Sequence, residues 1–255
     1  MPDNFTLRHQ LAHRTIRLFK AEPLAQSTID TLLEVARWTA TSSAMQASSI
    51  LHIADATLKT QIAQICNQSS VASAPLLLIF IVDQYRNNAL AAAEGHPVET
   101  AGLPSRFFQA FTDACIQAQN VVNAAESMGL GTCYLGSILN DVPQLIKLLK
   151  LPPLTFPVVG LMVGIPDQDP AQKPRIDNTL RVFENTYTVY EDYAQTFADY
   201  DAECDVYYRQ RDPNITTSTF SAQIAKKLSA HNPRRELILD LLRAQGFSLP
   251  EDSDD

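Results

Sequence analysis

Glycine is scarce in this chain. Its 255 residues include 8 glycines, about 3% where average usage is about 7%. A chain poor in the residue that tolerates every backbone region is predicted to be helix-rich, and its glycines to cluster only where the backbone needs them. Gly129, Gly131 and Gly136 fall within one short window. Basic residues are also short: 20 Lys and Arg face 28 Asp and Glu, for a net charge of −8. That balance argues against non-specific binding to nucleic acid or an anionic membrane. No apolar run exceeds Leu76 to Val82, far too short to span a bilayer. Met1-Pro2-Asp3-Asn4 carries no basic stretch leading into an apolar one, so no secretory leader is expected. The four cysteines, Cys66, Cys115, Cys133 and Cys204, form no C-x-x-C pair. They are read as reduced thiols of a cytoplasmic protein, not as disulfides or zinc ligands. The fingerprints G-x-G-x-x-G, G-x-x-x-x-G-K-[ST] and G-x-S-x-G are missing, and there is no internal repeat. His9 and His13 have the spacing of the H-E-x-x-H zinc helix, but Gln10 stands where that motif needs a general base, which speaks against a metal site.

What is present is a pattern of helices between short apolar strands. Hydrophobic residues make up 45% and charged residues 19%, an ordinary globular balance. A short helix is predicted over residues 3–12, then an alternating stretch over 13–19. A helix is predicted from Ser27 to Trp38, capped by Ser27 with Asp30 completing an S-x-x-D box and Ile29, Leu32, Leu33 and Ala36 as its stripe. Residues 39–47 read as a polar loop, 48–54 as a strand and 57–66 as a helix. Leu76 to Val82, without a polar interruption, suits a central strand covered on both faces. Residues 84–104 read as a loop. From Ser105 to Met128 apolar residues recur with helical spacing, and Gly129 is the expected helix stop. A strand near 132–137, a helix capped by Asp141 and a strand from Val158 to Gly164 complete a layered α/β or α+β sandwich. Beyond Pro166 the chain turns polar and aromatic. Such a segment, without a core strand, is expected to wrap a partner subunit or its own domain.

Two small basic clusters stand out in this acidic chain. If residues 13–19 are extended, His13, Thr15 and Arg17 share one face, and Ile16 and Leu18 the other, with Arg14 at the edge. Arginine forks suit phosphate, so this segment reads either as an anion site or as a solvated edge strand. Lys173-Pro174-Arg175 is the second cluster, on a loop. Thr39 to Gln46 is dense in hydroxyls; it reads as a helix exit and turn, or as a set of donors and acceptors for a polar ring. Gln68-Ser69-Ser70 is similarly polar and precedes the central strand.

Five ordered segments together resemble the FMN-dependent nitroreductase superfamily, specifically its long-tailed group of oxygen-insensitive NADPH nitroreductases and NADPH–flavin oxidoreductases. His13-Arg14-Thr15-Ile16-Arg17 resembles the family's H-R-S-I-R segment. Ala36 to Ile50 resembles its serine-rich loop, and Glu126 to Ser137 its E-S-L-G-L-G-G-V-Y-I-G-G. Lys173-Pro174-Arg175 looks like its K-P-R, and Tyr200-Asp201 with Tyr207-Tyr208 like its Y-D…Y-Y. The resemblance implies a three-layer α-β-α sandwich of the α+β class with a mostly antiparallel central sheet. It divides the chain into an FMN-binding core, residues 1–170, and a C-terminal extension, 171–255, that wraps the partner of a homodimer and completes the nicotinamide pocket. It implies that His13, Arg14, Thr15 and Arg17, with Lys173 and Arg175, hold the FMN phosphate and ribityl chain. Thr41, Ser42, Ser43 and Gln68 would contact the ring and ribityl hydroxyls. The backbone of Tyr134, Leu135, Gly136 and Ser137 would run beside the flavin, with an amide near Gly136 facing N5. Arg211 falls where the group binds the NADPH 2′-phosphate; a second arginine expected some five residues later is missing, which leaves NADPH and NADH both open. The implied activity is hydride transfer from NADPH or NADH to bound FMN and on to nitroaromatics, quinones or free flavin, with no side chain acting as nucleophile. The alternative is an FMN-binding protein that supplies reduced flavin to a partner. Thr132 and Ser137 stand where the family has glycines, and their side chains are expected to crowd the flavin or change its tilt.

Overall fold

The computed structural model describes residues 4–96 and 100–248; residue 3 of the first predicted helix, residues 97–99 of the predicted loop and the last residues of the predicted extension lie outside these. The described residues form two compact units, one from residues up to Pro170 together with those from Pro233 onward, the other Ala171–Asn232.

The first unit is organised by strand β2, Leu76–Asp83, buried at every position but its last. With β1 (Ser48–His52), β3 (Gly131–Leu135) and β4 (Thr155–Gly164) it makes a four-stranded sheet of order β1-β2-β4-β3, antiparallel throughout. The chain is therefore of the α+β class. Successive side chains of a strand point to opposite faces, and β2 uses both. Leu76, Leu78, Phe80 and Val82 join one core, Leu77, Ile79 and Ile81 the other. The first core is closed by α2 (Gln26–Arg37) and α5 (Pro104–Ser127), the second by α3 (Ala56–Cys66) and α6 (Val142–Leu149). Two helical layers thus enclose the sheet. On α5 the buried stripe is Phe107, Ala110, Ala114, Ala118, Val121, Val122 and Ala125; its alanines let the helix lie close to the strands. Helix α5 ends on Gly129, whose φ of +76° is the left-handed conformation expected of a helix stop. A bulge in β4 sets Ile81 opposite Pro157 and Phe80 opposite Val159, which accommodates a proline that cannot donate to the ladder.

Several expectations differ from what is observed. Helix α2 starts at Gln26 with Ala25 as its cap residue and no side-chain cap, while the Asp30 carboxylate accepts from Gln26 at 2.8 Å. Residues 84–93, read as loop, form α4, capped by Asp83, which accepts the Arg86 amide at 3.0 Å. Strand β3 stops at Leu135, and residues 136–141 form a turn of 3-10 helix. Leu18, placed on one face with the buried Ile16, is 58% exposed. The tail contributes to the first unit's core after all: Leu242, on the short helix α11 (Ile238–Ala244), and Phe247 are buried against it.

The second unit holds α7 (Tyr193–Thr196), α8 (Ala198–Arg211) and α9 (Phe220–Leu228). A run of ring contacts links Phe183, Tyr190, Tyr193, Phe197, Phe220 and Tyr200. Burial, and then its contact with Cys204, pushes the Tyr200 phenol up to about 12. No helix among the described residues is long and apolar enough to cross a membrane.

Candidate active site

The His13–Arg17 segment lies along the edge strand β3. Thr15 bridges Thr132 in parallel fashion, and the Ile16 amide donates to the Thr132 carbonyl at 2.8 Å. The approach depends on Gly131, where a Cβ would stand 2.6 Å from that of Ile16. Ile16 is buried, so the period of two turns His13, Thr15 and Arg17 away from the core. Glu126, in the last turn of α5, accepts from His13 Nδ1 at 2.7 Å. Arg14 pairs with Asp169, whereas Arg17 is exposed and makes no hydrogen bond or ion pair among the described residues. The segment therefore presents an imidazole, a hydroxyl and a guanidinium together, a donor set suited to a phosphate.

The other end of β3 brings in Gln68 and residues 134–137. The Gln68 amide donates to the Ser137 hydroxyl at 2.7 Å. The Tyr134 hydroxyl lies 3.2 Å from Gln119 Oε1, and Leu135 is buried. Gly136 is exposed, and a Cβ placed there would meet nothing within 4 Å. The chain's own packing thus makes no demand for glycine at 136, and the room in front of it is open. Thr132 and Ser137, expected to crowd the flavin, each have a hydrogen-bond partner in the chain. The Thr132 side chain is buried and donates to Glu126, and Ser137 is taken up by Gln68.

Thr41, Ser42 and Ser43 lie elsewhere in the unit. Their loop is tied to Asp113, a carboxylate 1% exposed on α5 that accepts the Ser42 amide at 2.8 Å and the Ala47 amide at 3.3 Å. Ser43, Ala44 and Gln46 take positive φ values of 52°, 55° and 49°, an uncommon backbone for residues with side chains. Asn87 donates to the Met45 carbonyl at 3.0 Å, and Arg86 to the Gln46 carbonyl. The loop borders a cavity of about 660 Å³ that Arg86, Leu90 and Gln117 also line. Asp113 and Glu126 are thirteen residues apart on one helix, about 20 Å along its axis. Within one chain the 41–43 loop and the 13–17 segment are held by distant points of α5.

Lys173, Arg175 and Arg211 belong to the second unit. The Lys173 ammonium is 5.5 Å from the centre of the Tyr208 ring, and the Tyr200 hydroxyl donates to the Pro174 carbonyl at 3.3 Å. Arg211 is exposed in the last turn of α8. The following loop is held by Ser218, which donates to Asp205, and a cavity of about 380 Å³ opens beside Thr216 and Thr217 with Lys226 and Lys227 on its wall.

Sequence reasoning assigned no role to Asp113, Glu126 or Arg235. Asp113 was findable: an acid between Ala110 and Ala114 on the buried stripe of a helix needs buried partners. Arg235, on the short helix α10 (Pro233–Glu236), donates to the Gly136 carbonyl at 3.0 Å and to Asn140 Oδ1 at 2.8 Å, while Arg234 pairs with Asp141 at 3.0 Å. Nothing local in the sequence indicates that these arginines fold back on residues 136–141.

Comparison with known proteins places this fold in a family. Residues 11–165 match the nitroreductase family and residues 173–250 the nitroreductase family C-terminal domain. The FMN reductase (NADPH) of Bacillus subtilis is 36% identical over 248 residues, 96% of this chain and 99% of that one. The oxygen-insensitive NADPH nitroreductase of Salmonella typhimurium is 33% identical over 244 residues, 95% of this chain and 98% of that one. The structure of the NfrA1 nitroreductase from B. subtilis superposes with a TM-score of 0.89 at 35% identity, covering 95% of this chain and 98% of that one. The chain belongs to the nitroreductase family.

Proposed function

We propose that the protein is an FMN-dependent oxidoreductase of two half-reactions, taking hydride from NADPH or NADH and delivering it to a nitroaromatic, a quinone or free flavin. The observation that carries this is the pairing of the His13–Arg17 donor set, alongside the start of β3, with open room at Gly136, just past its end. FMN, when bound, supplies a two-electron carrier that accepts from the donor and returns to the acceptor. The residues present fit it: a phosphate end needs cations and donors, which His13, Thr15 and Arg17 offer, and a planar ring needs a backbone free of side chains, which Gly136 offers. Arg14 is shared with Asp169, so its part is to hold the segment as well as to add charge.

The chain's own groups do the remaining work. Leu135, fully buried, fixes the backbone that leads to Gly136, and Gln68 is held against it through Ser137. Arg235 brings a positive charge to the Gly136 carbonyl, where it favours a ring that gains negative charge on reduction. Thr41, Ser42 and Ser43, tied to Asp113, offer hydroxyls from a second chain, since their own cannot bring them to the same ring. The active form is accordingly a homodimer. Four free cysteines, three of them buried, accord with a cytoplasmic, reducing setting. A donor and an acceptor that use one pocket in turn give ping-pong kinetics. Thr132 and Ser137, the residues that favoured a flavin carrier without turnover, are engaged inside the protein, which favours the enzyme.

The test is direct. Protein loaded with FMN is expected to be yellow and to give parallel double-reciprocal lines with NADPH and a quinone. Protein that stays colourless after FMN is added overturns the flavin reading; yellow protein without turnover leaves the carrier. Arg211→Ala is expected to lower kcat/KM for NADPH by about ten- to a hundredfold and to leave NADH nearly unchanged, as the loss of one charge-assisted contact of about 1.5–3 kcal/mol implies.

A further inference from the structure

The phosphate reading of the 13–17 segment gives no role to two residues that hold it, Glu126 and Thr132. Glu126 Oε1 accepts two hydrogen bonds of 2.7 Å, one from His13 Nδ1 and one from the Thr132 hydroxyl. The site is enclosed: the Glu126 side chain is 13% exposed and Thr132 is 1% exposed. A carboxylate on one ring nitrogen keeps a proton there and orients the ring, so that the other nitrogen becomes the outward one. Thr132 grips the segment twice. Its carbonyl takes the Ile16 amide at 2.8 Å, and its hydroxyl fixes the carboxylate that His13 meets. β-Branching restricts the Thr132 side chain to few rotamers, so the carboxylate is held by a stiff partner. A glycine at 132 would supply only the first of these grips.

The geometry points to Thr132 and Glu126 as positioning residues that lock the His13 ring through Nδ1–H on Glu126, so that the imidazolium Nε2–H donates to the phosphate of bound FMN. This rests on the flavin reading above. It also accounts for a side chain at a position where the resemblance leads one to expect none.

The experiment compares the wild type with Thr132→Ser, Thr132→Val and Glu126→Gln, all as the full chain. FMN affinity is read from quenching of flavin fluorescence, folding from the melting temperature, and the His13 protonation pattern from ring ¹⁵N resonances. The expected result in the wild type is a proton on His13 Nδ1, and on Nε2 as well once FMN is bound. Affinity should fall about tenfold in Thr132→Val, the scale of lost outer contacts to a ligating histidine. Thr132→Ser, which keeps the hydroxyl, should stay near the wild type. Wild-type affinity in Thr132→Val overturns the proposal. So does a Thr132→Ser protein that folds normally yet binds as weakly as Thr132→Val, since the packing of the methyl would then be what matters. If Thr132→Val does not fold, Glu126→Gln decides by the same two readouts. If the wild type binds no FMN, the flavin reading fails by itself, and the ring resonances still decide whether Glu126 and Thr132 set His13.

Discussion

At position 131 a side chain has no room, and at 136 it has plenty. Gly131→Ala would drive a methyl to 2.6 Å from the Ile16 Cβ, while the same change at Gly136 meets nothing within 4 Å. The first is an overpacking change, expected to cost about 1–3 kcal/mol and to loosen the 13–17 segment. The second should leave stability within about 0.5 kcal/mol yet weaken FMN binding by filling the space the ring needs. Thermal melts with and without FMN separate the two; a Gly136→Ala protein that binds FMN as tightly as wild type would remove that residue from the site. Asp113 gives a complementary case. Replacing it with Ala leaves the Ser42 and Ala47 amides without their shared acceptor, at a cost of about 1–3 kcal/mol. Faster hydrogen exchange at Ser42, with the core amides of β2 still protected, is the expected sign. At this scale the sequence was informative where residue type and spacing coincide. His13, Thr15 and Arg17 could be placed on one face from the period of two, but the exposure of Leu18 could not be read, because it depends on tertiary packing. Glu126 was visible only as part of a motif, since its partners His13 and Thr132 are brought to it by tertiary folding.

Among the elements, α2 shows what a cap contributes. Ala25 sits at its cap position with extended ψ and offers no side-chain acceptor, and the first turn carries no acidic residue. Ala25→Asp should supply both, for a gain of about 1 kcal/mol. For a chain of this size that is a rise in melting temperature of about 2–4 °C. An unchanged melt would mean that Thr28, whose amide already donates to the Ala25 carbonyl at 3.0 Å, leaves nothing to cap. The sequence pattern led to Ser27 instead, two residues late, because the S-x-x-D spacing is common inside helices as well as at their starts. Strand β2 and helix α5 were legible for the opposite reason. Seven consecutive apolar residues, and a stripe repeated over many turns, leave few other places for a chain to put them. Helix α4 has no stripe. It is held by the Asp83 cap and by buried Gln84, whose amide donates to the Arg106 carbonyl at 2.9 Å. Neither anchor is periodic, so neither could be read. Leu242 and Phe247 were missed likewise, as single core residues at the end of a polar tail.

For the molecule as a whole, α5 is the element on which the proposed two-chain site turns. One face of it builds the core. The other leaves Phe108 63%, Phe111 37% and Ile116 40% exposed among the described residues, a group of apolar side chains on one helix. Asp113 and Glu126 on this helix hold the two sets of residues proposed to bind the flavin, and they hold them apart. The proposed homodimer, formed by a two-fold contact through the exposed face, would account for both facts, because each copy would lend its 41–43 loop to the other's 13–17 segment. Phe108→Glu should therefore convert the dimer to a monomer and abolish FMN retention together, as seen by light scattering and flavin absorbance. A sharper outcome follows for mixtures. Arg17→Glu spoils the segment and Ser43→Glu the loop, so each variant alone should be nearly inactive. When the two are unfolded and refolded together, each mixed dimer regains one intact site, built from the loop of the Arg17→Glu chain and the segment of the Ser43→Glu chain. Activity should return with the fraction of mixed dimers. If mixed dimers form and stay inactive, both halves of the site come from one chain, and the separation along α5 must be closed by a rearrangement of the 39–47 loop.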